Sequence, residues 1–421
     1  MAHPLLEKVF LPKQIRPADF LKFMSVRQKN ELLKQTAFMR GKRVVHINAT
    51  AEGGGVAEIL QSLIPYLRAL GIESDWYAIN PKIGGGFFSI TNKIHDAMQG
   101  AAIKIGGKEW KEYERMSKLI AGELDKIDCD ILVIHDPQPL LAGCRSHLNK
   151  HKIYFSHIDT SATFKPVWEK LSSCIASYRR VVFSNRDFVN GDLPRRKVRI
   201  FTPAINPLAP KQKIVAPKEA RLYLKKRGGI PMDCPLIVQV SRFDVWKNPL
   251  GVVEAFRMVQ QTHPEARLAL VGFNTAKDNP ASSAVYKDAA AVAGKSRDIF
   301  LFFNTTGKNV PEFTVMAQNA ADVIVQNSIK EGFGLVVTEA MWKRKPVIGG
   351  PASGIRKQIQ DGKNGFVART PEDLAEKIIF LLSHPEKRKL LGEYARKTVL
   401  KKFLFPRLVS DHLKLYRSCL K

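Results

Sequence analysis

Short apolar runs alternate with polar, helix-forming stretches along most of the chain. The runs lie at 43–48, 74–79, 130–135, 153–157 and 180–184 in the first half, and at 236–240, 267–271, 299–303, 323–326 and 346–348 in the second. Helix-like stretches such as 251–261 and 371–382 separate them. Buried strands that alternate with helices are typical of open parallel sheets. The pattern therefore predicts an α/β protein with two doubly wound, Rossmann-like domains.

The two series of strands set the expected domain boundaries. Residues 41–210 form the predicted N-terminal domain and residues 235–400 the predicted C-terminal domain. A junction rich in Pro, Lys and Arg lies between them, from 206 to about 233. Residues 1–40 are predicted to be an N-terminal extension, and residues 401–421 a helix that packs back on the N-terminal domain. A length of 421 residues also favours two domains.

Composition narrows the class of protein without identifying it. No apolar stretch approaches the roughly 18–20 residues of a membrane span, and the N-terminus lacks the features of a signal peptide. We therefore expect a soluble, cytoplasmic protein. The 5 cysteines are scattered without a Cys-x-x-Cys pair, which favours reduced thiols and indicates neither a disulfide framework nor a metal site.

The formal net charge of +28 leaves a nucleic-acid-binding protein open as an alternative. The Lys and Arg residues are spread along the chain, and no zinc-knuckle, ribonucleoprotein or basic heptad motif accompanies them. A solvated basic surface is therefore favoured, and nucleic acid is not an expected partner.

Two segments that follow predicted strands are suited to bind phosphate. Gly53, Gly54 and Gly55 precede a predicted helix, where close backbone approach and free N–H groups favour an anion, although a tight packing turn is the alternative. Arg242 and Lys247 follow the first strand of the C-terminal domain, and their charges suit a diphosphate. Asn248 is predicted to cap the next helix.

Two further segments carry carboxylates or histidines at strand ends. Glu331 precedes a Gly-Phe-Gly turn, and Glu339 lies among apolar residues of the helix that follows, where a carboxylate is expected to have a partner. The pairs His135-Asp136 and His157-Ile158-Asp159 end two strands of the N-terminal domain. We expect them to line a polar sugar pocket, although a single strand-end histidine is usually a core residue.

Together these motifs resemble family four of the retaining glycosyltransferases, whose GT-B fold consists of two Rossmann-like domains with an interdomain cleft. The resemblance runs in order from about residue 43 to residue 366, and its most specific part is the Glu-Gly-Phe-Gly-x4-Glu-Ala-Met segment at 331–341. Within that family, the segments at 46–60, 135–139, 157–159 and 239–247 are most similar to those of the trehalose-forming members.

The resemblance implies a role for each matching residue. Glu331, Arg242, Lys247 and His157 are expected to be catalytic. The expected donor-binding residues are Gly54, Gly55, Arg242, Lys247, Glu331, Gly332, Phe333, Gly334, Leu335 and Glu339, and the expected acceptor-binding residues are Asn48, Asp136 and Asp159. Glu339 is expected to hold the ribose of the nucleotide.

The implied reaction transfers a glucosyl unit from ADP-, UDP- or GDP-glucose to glucose with retention and forms trehalose. No cofactor is required in this interpretation, and the choice of base, reversibility, a role for Mg²⁺ and a homodimer stay open. A related glycosyltransferase with another acceptor and a trehalose phosphorylase are the alternatives.

Overall fold

The predicted apolar runs form two sheets in a computed structural model, which describes residues 4–11, 15–52, 54–84, 86–148, 151–272, 281–303 and 310–421. The chain packs as two compact units. The first comprises Met1–Ala204 together with Phe405–Lys421, and the second comprises Ile205–Leu404. Each unit is described separately below.

The first unit contains a seven-stranded sheet. Its strands are β1 (Leu6–Lys8), β2 (Arg43–Asn48), β3 (Glu73–Ile79), β4 (Ile131–His135), β5 (His151–Ser156), β6 (Arg180–Phe183) and β7 (Val198–Ile200). Its helices are α1 (Val26–Met39), α2 (Gly55–Ala69), α3 (Phe87–Met98), α4 (Gly107–Leu124), α5 (Leu140–Arg145), α6 (Lys165–Ser177) and, at the end of the chain, the helix Phe405–Leu420. The strand order is β1-β3-β2-β4-β5-β6-β7, and only β1 is antiparallel to its neighbour.

The second unit contains a six-stranded sheet that is parallel throughout. Its strands are β8 (Leu236–Val240), β9 (Arg267–Val271), β10 (Ile299–Phe302), β11 (Val323–Gln326), β12 (Val347–Gly349) and β13 (Phe366–Val367). Its helices are α7 (Pro217–Gly228), α8 (Pro249–Gln260), α9 (Ala281–Ala293), α10 (Val310–Ala320), α11 (Leu335–Trp342), α12 (Ser353–Arg356), α13 (Pro371–Ser383) and α14 (Pro385–Lys402). The order is β10-β9-β8-β11-β12-β13. The helix Phe405–Leu420 is α15.

Burial on both faces explains why strands such as β4 contain long apolar runs. In β4, Leu132 and Ile134 belong to one core cluster, whereas Ile131 and Val133 belong to the cluster on the opposite face. Successive strand side chains point to opposite faces, so a sheet covered on both sides needs apolar residues at every position. Helix α15 contributes to the second of these clusters, where Phe405 contacts the rings of other buried aromatic residues.

Most predicted strands agree with the structure to within one or two residues. The runs at 43–48, 236–240, 267–271 and 323–326 match β2, β8, β9 and β11. The run at 153–157 is displaced, because the strand is His151–Ser156 and His157 lies just beyond it. Strands β1, β7 and β13 are two or three residues long, too short to produce a recognisable run.

Candidate functional site

Most of the predicted site residues follow the strands at which the order of each sheet reverses. This reversal falls between β2 and β4 in the first unit and between β8 and β11 in the second. In open α/β sheets, ligands bind outside the carboxyl ends of the strands at such points. Both places therefore suit a binding site on topology alone.

The glycine segment in the first unit leads directly into α2. Gly54 is exposed and has φ +84, a left-handed conformation that side-chain-bearing residues rarely adopt, and Gly55 is the first residue of the helix. Gly53 lies outside the described residues. Since the first backbone N–H groups of a helix have no partner within it, this end of α2 is suited to an anion.

Three histidines and a tyrosine form a hydrogen-bonded chain in the first unit. Tyr416 Oη lies 3.1 Å from His46 Nε2, and His46 Nδ1 lies 2.9 Å from His135 Nε2. His135 Nδ1 in turn lies 2.9 Å from His157 Nε2. The three histidines come from β2, the end of β4 and the residue after β5, so the parallel register brings them together.

Burial keeps these histidines uncharged near neutral pH. It lowers the pKa of His46 and His135 well below the ordinary value. Burial also lowers the pKa of His157, and the nearby Asp136 carboxylate offsets part of that effect. His412, which stacks on Phe155, has a pKa lowered by burial to about 4. The strand-end site of the first unit is thus lined by neutral imidazoles.

The three predicted acceptor-binding residues already hold parts of the first unit in place. Asp136 has φ +62, and its Oδ1 accepts a hydrogen bond from the backbone N–H of His157 at 2.8 Å. Asp159 is buried and accepts from the Ser161 hydroxyl at 2.5 Å. Asn48 is buried and accepts from the indole of Trp76 at 3.4 Å. Of the three, only Asp136 is partly exposed.

The loop after β8 carries the two predicted phosphate-binding cations. Arg242 has half of its side chain exposed and lies 3.3 Å from Asp244. Asp244 also caps the short turn that ends at Lys247, accepting from the backbone N–H of Trp246 at 2.9 Å. Asn248 caps α8 as predicted, with its side chain accepting from the N–H of Gly251. These contacts hold the loop with the Arg242 guanidinium open to solvent.

A buried glutamine ties this loop to the end of β11. Gln239 donates from Nε2 to the carbonyl of Lys247 at 3.1 Å and accepts at Oε1 from the N–H of Asn327 at 3.0 Å. A backbone hydrogen bond from Ile329 to Trp246 adds a second link, at 2.8 Å. The loops that carry Lys247 and Glu331 are therefore fixed relative to one another.

Lys247 donates to Glu331 Oε2 in a direct ion pair between these loops, and each side chain retains 16% exposure. Both can therefore reach a ligand as well as each other. Beyond Glu331 and Gly332, Phe333 is buried against Phe403, and Gly334 (φ +83) caps α11, which begins at Leu335. The segment thus places a carboxylate beside the start of a helix.

Glu339 is fully buried inside the second unit. Its Oε1 lies 3.0 Å from Lys211 Nζ, and its Oε2 lies 3.4 Å from Gln318 Nε2. Burial alone would raise the pKa of Glu339, but the charges of Lys211 and Lys343 outweigh it and lower that pKa. Burial lowers the pKa of Lys343 to about 8 even though Glu339 acts in the opposite direction. The carboxylate is therefore charged and partnered, as expected among apolar neighbours.

The structure brings some predicted residues together and leaves others apart. Lys247 contacts Glu331 directly, and His157 is linked to both His135 and Asp136. Arg242 pairs with Asp244, and Glu339 pairs with Lys211, which lies in the predicted junction between the two domains. Lys211 gave no signal in the sequence, because its partner is far away along the chain.

Within the described ranges, no group of three or more His, Cys, Asp or Glu residues is arranged to hold a metal ion. In the same ranges, no helix is both long enough and apolar enough to cross a membrane. Arg242, Lys247 and the starts of α2 and α11 favour an anion, and the imidazoles suit hydroxyl groups.

Solved structures share this fold. The α,α-trehalose-phosphate synthase (UDP-forming) of Burkholderia vietnamiensis matches 90% of this chain and 99% of its own, with a TM-score of 0.70 and 14% sequence identity. Residues 222–398 also match the family described as glycosyl transferases group 1. These matches show the GT-B fold of glycosyltransferases, which confirms the predicted fold class.

Sequence relatives narrow the class further. Residues 46–190 match the family described as trehalose synthase, N-terminal domain. The trehalose synthase of Pyrococcus horikoshii is 35% identical over 401 residues, covering 95% of either chain. The chain therefore belongs to the trehalose synthase family. A trehalose phosphorylase of Pleurotus pulmonarius is also related, with 26% identity over 82% of this chain and 52% of its own.

Proposed function

We propose that the protein transfers a glucosyl unit from a nucleoside diphosphate glucose to glucose with retention and forms trehalose. In this proposal most donor-binding residues belong to the second unit, and the first unit supplies the acceptor-binding residues together with the donor contacts of Gly54, Gly55 and His157. The observation that carries it is the Lys247–Glu331 ion pair, because its two partly exposed side chains offer a cation and a carboxylate to one ligand. Membership of the trehalose synthase family supports the choice of sugars.

The reaction breaks the bond between the anomeric carbon and the diphosphate oxygen and forms a bond from that carbon to an acceptor hydroxyl oxygen. The acceptor proton passes to the departing diphosphate on the same face of the sugar. Arg242 and Lys247 stabilise the negative charge that develops on the diphosphate, together with the backbone N–H groups of Gly54, Gly55 and Leu335. The carboxylate of Glu331 stabilises the positive charge that develops on the sugar.

The remaining residues bind and orient the substrates. His157 hydrogen-bonds the transferred sugar, and Asp136 lies near the acceptor together with Asn48 and Asp159. Glu339, held by Lys211, binds the ribose. Gly332, Phe333 and Gly334 line the phosphate and sugar end of the donor site through their backbone.

A transfer assay with the Arg242→Ala variant tests the diphosphate assignment. Removing the guanidinium is expected to lower kcat about 10²–10³-fold, as the loss of a group that stabilises transition-state charge does. Arg267→Ala is the matched control, because Arg267 also pairs with an aspartate, Asp298 at 3.2 Å, but begins β9 at the opposite edge of the sheet. Equal rates for the two variants would contradict the assignment.

A trehalose phosphorylase is the second candidate, supported by the likeness to the Pleurotus pulmonarius enzyme. It requires inorganic phosphate in place of the nucleoside diphosphate. Incubating the protein with trehalose and either phosphate or a nucleoside diphosphate distinguishes the two functions. We expect a sugar nucleotide from the second mixture and no glucose phosphate from the first.

A further inference from the structure

The hydrogen-bonded chain from Tyr416 to His157 joins the last helix of the first unit to the end of β5. Its three links measure 3.1, 2.9 and 2.9 Å, all within the range of hydrogen bonds. Only one ring nitrogen of the three histidines, His157 Nδ1, has no hydrogen-bond partner within the described residues. His157 is also the one of the three that is partly exposed. The chain therefore ends at a nitrogen that is available to a ligand.

The protonation states along the chain depend on one another. A neutral imidazole has one N–H donor and one acceptor nitrogen. Because burial lowers the pKa of all three histidines, each carries a single ring proton near neutral pH. Each link needs one donor and one acceptor, so the three rings must all point their protons in the same direction. Two arrangements satisfy this condition.

The Tyr416 hydroxyl distinguishes these two arrangements. If His46 Nε2 carried the proton, the hydroxyl oxygen of Tyr416 would accept a hydrogen bond from it. The buried hydrogen of that hydroxyl would then need another acceptor. In the described part of the chain the only hydrogen bond of this hydroxyl is the one to His46. A buried donor without an acceptor costs about 1–3 kcal/mol. In the other arrangement the hydroxyl donates to His46 Nε2, and every link is satisfied with the ring proton on Nδ1.

We propose that Tyr416 is a positioning residue that fixes His157 in the Nδ1–H tautomer, so that the chain presents an N–H donor to a sugar hydroxyl oxygen. The proposal rests on the proposed function, which places His157 against the transferred sugar. Tyr416 acts through His46 and His135 and does not touch the substrate. It belongs to α15, so the last helix of the chain sets the ring-proton position of a site residue that follows β5.

Nitrogen-15 NMR of the ligand-free enzyme, labelled at histidine and assigned with single substitutions, tests the tautomer directly. In the wild-type enzyme we expect a protonated Nδ1 and an unprotonated Nε2 on His157. A protonated Nε2 in the wild-type spectrum would overturn the proposal without any variant. This readout needs no substrate, so it stands apart from the question of whether trehalose is formed.

Tyr416→Phe tests the influence of the hydroxyl, because it keeps the ring in the core and removes only the donor. We expect the His157 signal to move toward the Nε2–H form and kcat to fall about threefold to tenfold, as the loss of one hydrogen bond implies. Tyr66→Phe is the matched control, since Tyr66 is buried in the same core and its hydroxyl has no hydrogen-bond partner among the described residues. It should change neither quantity. If Tyr416→Phe behaves like Tyr66→Phe, or keeps the wild-type kcat, the positioning role is wrong.

Discussion

The two strand-end sites occupy the same place in similar sheets, yet they handle charge in opposite ways. In the first unit no nearby carboxylate opposes the effect of burial on His46 and His135, and Asp136 offsets only part of it at His157, so all three histidines are neutral. In the second unit Glu339 is just as buried and stays charged, because Lys211 and Lys343 lie beside it. The comparison teaches that the counter-ion, rather than the depth of burial, decides whether a buried group keeps its charge.

This difference matches the two halves of the proposed reaction. In the proposed reaction the departing diphosphate needs cations, which Arg242 and Lys247 provide, and the positive charge on the sugar needs a carboxylate, which Glu331 provides. A sugar hydroxyl needs directional hydrogen bonds, and neutral imidazoles provide these without attracting the diphosphate. The following predictions test the comparison, beginning with the largest expected effect.

Glu331→Gln should affect activity most. The amide keeps the shape of the side chain but leaves Lys247 without its counter-ion and removes the charge opposite the sugar. We expect kcat to fall about 10²–10³-fold, measured in the transfer assay. Glu393→Gln removes a comparable partner from Arg344, 3.1 Å away on the exposed surface, and should leave kcat unchanged. Similar kcat values for both variants would remove Glu331 from the catalytic site.

Glu339→Gln should affect stability and nucleotide binding. The variant removes the carboxylate that pairs with Lys211 and whose charge also acts on the buried Lys343, which is expected to cost about 3 kcal/mol in the free energy of unfolding in urea. Calorimetry should also show weaker nucleotide affinity. Lys211→Met and the double variant complete a cycle, and we expect the double variant to lose less stability than the sum of the two. Additive losses would show that Lys211 and Glu339 are not coupled.

The neutral histidines predict a loss of stability in acid. His412 has a folded pKa of about 4 against an ordinary value of 6.5, so the unfolded chain binds more protons between these values. The unfolding free energy therefore decreases as pH falls through 6.5 toward 4, by about 2 kcal/mol between pH 7 and pH 5 for this residue alone. His412→Phe keeps a ring against Phe155. In this variant the slope of the unfolding free energy against pH should decrease by the amount that corresponds to one proton. An unchanged slope would contradict the burial account.

The smallest expected effect separates backbone strain from anion binding at Gly54. Gly54 and Gly41 have φ values of +84 and +74, and a Cβ would meet no atom at either position. Each change to Ala should therefore cost about 1 kcal/mol of stability through strain alone. Only Gly54→Ala should also raise the KM for the nucleotide sugar. Equal KM values for the two variants would show that the segment before α2 is only a turn.

Much of the fold could be predicted because it depends on local pattern. The apolar run 43–48 became β2 at the same residues, and Asn248 capped α8 as its spacing indicated. Strand ends also located the candidate residues, since parallel strands bring their carboxyl ends to one edge.

The partners of those residues could not be predicted in the same way. Lys211 meets Glu339 across 128 positions of sequence, and Tyr416 meets His46 across 370. Nothing in the amphipathic pattern of α15 distinguishes a tyrosine that packs in the core from one that also donates to a histidine. Such pairs depend on tertiary contacts, which a local sequence pattern does not predict.

The most direct test of the account is the product formed from nucleoside diphosphate glucose labelled with carbon-13 at the anomeric carbon, with glucose as the acceptor. We expect carbon-13 NMR to show a single new anomeric signal, that of α,α-trehalose, with at least one of the ADP, UDP and GDP donors. A β-linked product would contradict retention, and no disaccharide with any of the donors would contradict the proposed function.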